Sequence, residues 1–210
     1  MDGTRGKRAY WLKTLHQWHW ISSALCLLGM VMFSLTGITL NHASQIEARP
    51  RVEAQNAQLP EQLLGRLTEK AAGIPAKGSS LLPAEVGEWL SDQLSLSIPT
   101  REAEWDRDEV YLSLPRPGGD AWLRIALEDG AVEYESTDRG WISYFNDLHK
   151  GRHSGVAWSW FIDIFAVACL LFSVTGLLIM KMHATSRPTT WPMVGLGIVV
   201  PVLLALLFVH

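Results

Sequence analysis

Cysteine is nearly absent from this chain: Cys26 and Cys169 are the only two in 210 residues, and both lie inside long apolar runs. That count excludes a disulfide framework, and cysteines in such surroundings read as small packing residues. The stretch from Ala43 to Leu148 contains neither histidine nor cysteine. Nucleophilic triads and most transition-metal sites are therefore unavailable within it. Its acidic residues Glu102, Glu104, Asp106, Asp108 and Glu109 lack the spacing and central glycine of a calcium loop, and read as a solvated face. No G-x-G-x-x-G follows a strand and no P-loop exists, so any NAD(P)H or quinone chemistry needs a different subunit or a membrane site. No nucleic-acid partner is expected.

Charge is missing from three long runs. Ile21 to Leu40 carries none over twenty residues, Trp158 to Met180 carries only Asp163, and Pro192 to Val209 carries none. Twenty helical residues at ~1.5 Å each span a hydrocarbon core of ~30 Å. A soluble core helix would show a polar face, and none of the three does. A cleaved signal peptide is the alternative for the first run, but its apolar stretch exceeds the ~7–15 residues of a signal h-region, so it reads as an uncleaved anchor. The expected architecture is a membrane protein of three transmembrane α-helices, with one α+β domain inserted between helices 1 and 2. The segments are a basic and aromatic N-terminal stretch at 1–20, a span at 21–42, the inserted domain at 43–148, a juxtamembrane segment and second span at 149–183, a loop at 184–191, and a third span at 192–210.

The distribution of Lys and Arg orients these spans. The N-terminal tail, with Arg5, Lys7, Arg8 and Lys13 against Asp2, carries +3; Lys181 and Arg187 give the second connection +2; Ala43 to Leu148 carries −9. This predicts an inner N-terminus, a large outer domain, a short inner loop and an outer C-terminus. Tyr10, Trp11, Trp18, Trp20 and Trp191 then fall at the inner interface, and Trp141, Tyr144, Phe145, Trp158 and Trp160 at the outer one, as membrane belts require.

Inside the inserted domain, Leu63, Leu64, Leu67 and Ala71 after Pro60 predict an amphipathic helix ending at Gly73, and Val86, Trp89, Leu90 and Leu94 after Pro83 predict a second. The period then changes to two. Val110-Leu112-Leu114, the run Trp122 to Leu127, and Ala131 to Tyr134 alternate as strands, with Asp129-Gly130 and Gly118-Gly119 as turns. Two helices followed by a small antiparallel sheet are expected.

The most informative feature is a repeat. Leu15-His16…Phe33-Ser34-Leu35-Thr36-Gly37 and Leu148-His149…Phe172-Ser173-Val174-Thr175-Gly176 use nearly the same words, each followed by another histidine, His42 and His183. Two such runs crossing a bilayer in succession cross in opposite directions, so a direct sequence repeat becomes an inverted structural one. The histidines then gather into two clusters, His16 and His19 with His183 at the inner face, and His149 and His153 with His42 at the outer face. Histidine at facing ends of antiparallel helices suits axial ligation of a haem, with the second ring nitrogen requiring a partner that sets the tautomer.

Each histidine taken alone has an ordinary reading. His16 and His19 are interfacial and three apart, so one suffices as ligand; His153 suits a supporting or loop position; His183 belongs to a basic loop; His210 has no role. The paired arrangement favours two haems, one near each membrane face, with His42, His149, His16 and His183 as axial ligands and His19 and His153 as further candidates. Gly29, Gly37, Gly155 and Gly176 offer room for close approach of a macrocycle, while Asn41, Lys150 and Arg152 lie near the outer cluster. From His19 to His42 is 23 residues, or ~35 Å of helix, a long separation for two irons. Asp163 reads as an interfacial acid paired with Lys150 or Arg152.

The pattern Leu15-His16-Gln17-Trp18, then Leu35-Thr36-Gly37-Ile38-Thr39-Leu40-Asn41-His42, a small α+β domain, Asp147-Leu148-His149-Lys150-Gly151-Arg152 and Thr175-Gly176 resembles the PepSY-associated transmembrane proteins over essentially the whole chain. It is most similar to a short branch with three spans and a single PepSY-like domain. Larger relatives include bacterial inner-membrane reductases that bind b-type haem and reduce ferric siderophores in the periplasm, and others linked to flavin-carrying periplasmic carriers. The resemblance implies haem b at the membrane histidines, an inner-membrane location with a periplasmic domain, and a ferric siderophore, ferric chelate or flavoprotein as acceptor. Flavin would sit on a partner. Three spans, fewer than in those reductases, leave the haem pockets to be completed by a homodimer or a membrane electron-donor partner. A PepSY-like domain is also associated with protease inhibition, so a non-catalytic membrane-anchored interaction module is the contrasting expectation. Metal transport through the histidines is the third, with few spans to build a path.

Overall fold

The computed structural model describes residues 2–46, 49–75, 77–98 and 101–209. His210 lies outside them, as do the side chains of Asp2 and Arg5. The elements in order are α1 (Asp2–Asn41), β1 (Arg51–Gln58), α2 (Glu61–Ala72), β2 (Gly78–Leu81), α3 (Ala84–Leu94), β3 (Glu102–Trp105), β4 (Glu109–Ser113), β5 (Gly119–Ala126), β6 (Ala131–Asp138), α4 (Gly140–Lys150), α5 (Gly155–His183) and α6 (Thr190–Phe208). Two compact units arise, one from Met1–Met32 with Trp160–His210, the other from Phe33–Ser159.

Among the described residues, three helices are long and apolar enough to cross a membrane: Gly6–Asn41, Gly155–Ser186 and Thr190–Phe208. The chain is a multi-pass membrane protein. The basic, aromatic N-terminal stretch is helical and runs without a break into the first span. In the first unit the large apolar side chains point outward, with Leu28 81% exposed, Leu170 67% and Leu206 71%. Water would reject such a surface, and lipid accepts it. Arg8 Nη2 donates to the Met182 carbonyl at 3.0 Å, satisfying an orphan acceptor in the last turn of α5. The start of α1 and the end of α5 are thus neighbours, which antiparallel helices require. Asp163 is exposed on α5.

The second unit holds a six-stranded antiparallel sheet in the order β1-β6-β5-β4-β3-β2. Alternation sends Leu123 and Ile125 of β5, Val110 and Leu112 of β4, and Val132 and Tyr134 of β6 inward, where Leu67 of α2 and Val86, Leu90 and Leu94 of α3 join them. The acidic residues Glu102 and Glu104 alternate with buried Ala103 and Trp105 and face solvent. Both predicted helices and the three predicted strands are present. The sheet, however, does not simply follow the helices: β1 precedes α2, and β2 lies between α2 and α3. The reason is visible in β1, whose residues RVEAQNAQ lack an apolar alternation because an edge strand exposed on both faces needs none. Backbone pairing from Arg51 opposite Asp138 to Gln58 opposite Ala131 holds it instead.

A short amphipathic helix, α4, joins the sheet to α5. Gly151, at φ +66°, ends it in the left-handed conformation that favours glycine, and its N–H reaches the carbonyls of Asp147 and Leu148.

Candidate functional site

In the second unit, the ring of His149 sits against the end of α1. Its Nδ1 is 2.6 Å from Thr36 Oγ1, and its face is tilted against Phe33 with centroids 4.9 Å apart. A Cβ at Gly37 would lie 3.7 Å from His149 Cε1. Thr36 Oγ1 donates its own proton to the Phe33 carbonyl at 3.2 Å. The Thr36 hydroxyl thus meets Nδ1, and Nε2 of His149 makes no hydrogen bond among the described residues.

The first unit repeats this arrangement with the second copy of the motif. His19 Nδ1 lies 3.1 Å from both Thr175 Oγ1 and the Phe172 carbonyl, and its ring stacks on Phe172 at 4.5 Å and 17°. Gly176 supplies the space, since a Cβ there would come within 3.2 Å of His19 Cε1. A carbonyl can only accept, so Nδ1 carries the proton and Nε2 is again uncommitted. The repeated F-S-x-T-G is thus a histidine cradle: phenylalanine packs against the ring, stacked at Phe172 and tilted at Phe33, threonine meets Nδ1, and glycine lies beside the ring edge, closely at Gly176 and at ordinary contact at Gly37.

The remaining histidines divide into two kinds. His16, His42 and His183 each turn Nδ1 to the carbonyl four residues earlier in their own helix, Leu12, Ile38 and Ile179, at 2.8, 2.9 and 2.9 Å. Each is fixed as the Nδ1–H tautomer, and none uses Nε2 in a hydrogen bond among the described residues. His153 differs, because Arg152 Nε donates to its Nε2 at 3.1 Å, occupying the atom a metal would need. It sits in a turn at φ +55°.

In the first unit, His16 of α1 and His183 of α5 approach each other. The rings of His16 and His183 are 6.4 Å apart between centroids, with planes at 89°. A cleft of ≈ 530 Å³ opens beside His183, lined by Ile179, Met180, Met193 and Val194 with Arg187 at its polar side. In the second unit, His42 is not joined to His149 or His153 by a ring contact of this kind among the described residues. The repeat is also shifted: reading the two Leu-His pairs as equivalents aligns His16 with His149, but the residue that occupies the matching cradle is His19. Two of the glycines named as room for a macrocycle lie against imidazoles, Gly176 in tight contact with His19 and Gly37 at ordinary distance from His149; Gly29 lies under Phe165, whose ring would be 2.4 Å from an added Cβ.

What positions His149 was not legible in the sequence. Asn146 and Asp147, both buried, hold α4 from two sides. Thr39 Oγ1 donates to Asn146 Oδ1 at 2.6 Å, and Asp147 Oδ2 accepts the Gly118 N–H at 2.9 Å. Trp158 Nε1 donates to the Leu148 carbonyl at 2.8 Å. Four consecutive residues thereby tie α4 to α1, to the β4–β5 turn and to α5. Their signal was the polar pair Asn146-Asp147 beside a histidine in an otherwise aromatic segment.

Among the described residues, five imidazoles engage Nδ1 and make no hydrogen bond through Nε2, the nitrogen that a transition metal or haem iron would take up. Among the described residues, no group of three or more His, Cys, Asp or Glu side chains gathers around one point as a multi-ligand metal site would. No curated protein and no solved structure matches the chain. A family model, PepSY_TM-like, matches residues 10–210 and so takes in both cradles, the inserted sheet domain and all three membrane-length helices. The chain belongs to the PepSY_TM-like family.

Proposed function

We propose that this protein is a b-type haem protein of the bacterial inner membrane that passes electrons to a periplasmic acceptor, a ferric siderophore or chelate or a flavoprotein, with its N-terminus in the cytoplasm. The observation that carries the reading is the uniform commitment of Nδ1 at His16, His19, His42, His149 and His183, which leaves every Nε2 available. The rings of His16 and His183, 6.4 Å apart between centroids, are the pair that would hold the first haem. The cleft beside His183 is apolar along one side and carries Arg187 for a carboxylate, and its ≈ 530 Å³ lies in the range of cofactor sites, roughly 300–1,000 Å³. Haem would supply one-electron chemistry; the chain would supply imidazole nitrogens, with Thr36 and Thr175 orienting His149 and His19 and with Phe33 and Phe172 packed against their rings.

On this reading His16 and His183 hold one haem, with His19 close by, and His149 and His42 belong to a second, for which a homodimer or membrane partner completes the pocket. The deciding measurement is a reduced-minus-oxidised spectrum of the purified protein with haem stoichiometry. A Soret band with a sharp α-band, reduced in His183→Ala and in His149→Ala, is the expected result. Colourless protein from haem-replete cells overturns the proposal and favours the interaction-module reading, which is supported by the self-contained core of the sheet domain.

A further inference from the structure

We propose that an arginine-lined cleft beside α4 binds the phosphate of an anionic phospholipid headgroup. The cleft, of ≈ 630 Å³, is lined by Arg49, Arg51 and Arg116 together with Gly118, Trp141 and Tyr144. Three of the ten basic residues between Ala43 and Leu148 meet there, in a segment whose net charge is −9. Asp138 is the one carboxylate among its described lining residues, and it is engaged by the Gly140 N–H at 2.7 Å while Arg51 stands opposite it across the β1–β6 ladder. Arg116 is held from one side, its Nη2 donating to Ser136 Oγ at 2.9 Å. Arginine forks match phosphate oxygens in geometry as well as charge.

The lipid, rather than a dissolved anion, follows from what surrounds the cleft. Trp141 is 76% exposed, Ile142 46% and Phe145 42%, an apolar face on a helix that ends five residues before the membrane-length α5 begins. Trp141, Tyr144 and Phe145 also touch edge to face, with Trp141–Tyr144 and Tyr144–Phe145 centroids 5.9 and 5.6 Å apart. Arg49 follows the end of α1 by eight residues, so both chain connections confine the cleft to the membrane margin. Aromatic side chains beside basic ones at that depth are the signature of an interfacial anchor. The field of a domain at −9 repels dissolved anions, whereas a headgroup is presented by the bilayer itself.

This inference does not rest on the haem reading. The test uses the full chain, purified in neutral detergent and offered phosphatidylglycerol and phosphatidylcholine, with retained lipid counted by native mass spectrometry. Wild type is expected to retain phosphatidylglycerol preferentially, and Arg49→Gln/Arg51→Gln to retain about 25-fold less, five-fold per charge removed. Adding Arg116→Gln should abolish the preference; the double variant leaves the Arg116–Ser136 contact intact and guards against a folding defect. Equal retention of both lipids, or a preference untouched by either variant, overturns the proposal. So does saturation by inorganic phosphate, or by an acidic peptide, without preference between the lipids.

Discussion

Thr36 and His149 are 113 positions apart in the chain, yet their side chains are joined by a 2.6 Å hydrogen bond between Oγ1 and Nδ1. The bond is reproduced between Thr175 and His19 at 3.1 Å. Removing the Thr36–His149 bond should weaken cofactor affinity without touching the ligand. On the proposed haem reading, Thr36→Val is expected to lower haem affinity about 10–100-fold, the usual effect of losing an outer partner of a metal-bound histidine, whereas Thr175→Val, whose partner His19 lies beside the first haem, should change it little. Thr36→Ser should restore the affinity. Haem titration of the apo protein checks this, and unchanged affinity in Thr36→Val would remove the cradle from the mechanism.

The two cradle glycines should respond differently to alanine. A Cβ at Gly37 meets His149 at an ordinary 3.7 Å, whereas one at Gly176 presses His19 at 3.2 Å. Gly37→Ala is expected to be neutral or stabilising by up to about 1 kcal/mol, through helix propensity. Gly176→Ala should displace the His19 ring and broaden its signals. Thermal melts together with histidine NMR distinguish the two outcomes.

Asp147 accepts the buried Gly118 N–H. Alanine would leave that donor unpaired, at about 1–3 kcal/mol, while asparagine retains an acceptor oxygen. Asp147→Ala should therefore lower the unfolding midpoint of the full chain, and Asp147→Asn should lie close to wild type. Equal loss in both would mean that the carboxylate charge, not the hydrogen bond, is what matters.

Leu123 is fully buried at the centre of the sheet domain. Leu123→Ala should destabilise that domain by about 2–5 kcal/mol, read by denaturant unfolding, while leaving the spectrum of any cofactor in the first unit unchanged.

The Tyr111 phenol is pushed above its usual value of 10.0, first by burial and then by the charges of Glu104 and Asp120. A folded-state value raised above the unfolded one contributes stability that is complete below pH 10 and lost as pH rises through the folded value. Ultraviolet titration should show one tyrosine ionising late, and Tyr111→Phe should abolish that late step.

Much of this fold follows from patterns in single segments. Charge-free runs mark the spans, because a hydrocarbon core tolerates little else, and the alternation of Val110 to Leu114 and of Trp122 to Leu127 marks a half-buried sheet. β1 escapes such reading because backbone pairing, not side-chain burial, holds it. The histidine clusters were half legible. His16 and His183 meet as the inverted repeat requires, but matching Leu15-His16 to Leu148-His149 selects the wrong equivalent. Chain-local resemblance lies in the dipeptide, whereas spatial equivalence lies in the cradle, and His19 reaches Thr175 only because α1 and α5 run side by side. Asn146 and Asp147 carry no periodic signal, since their partners Thr39 and Gly118 are remote in sequence.

The span Asn146 to His149 also has a mechanical meaning. One peptide unit separates the clamp on α1 from the clamp on the β4–β5 turn, and two more reach the imidazole. So short a lever has no slack to absorb a displacement: a tug on the turn at Gly118 arrives at the His149 ring almost undiminished, so within this unit whatever steadies the sheet also steadies the imidazole.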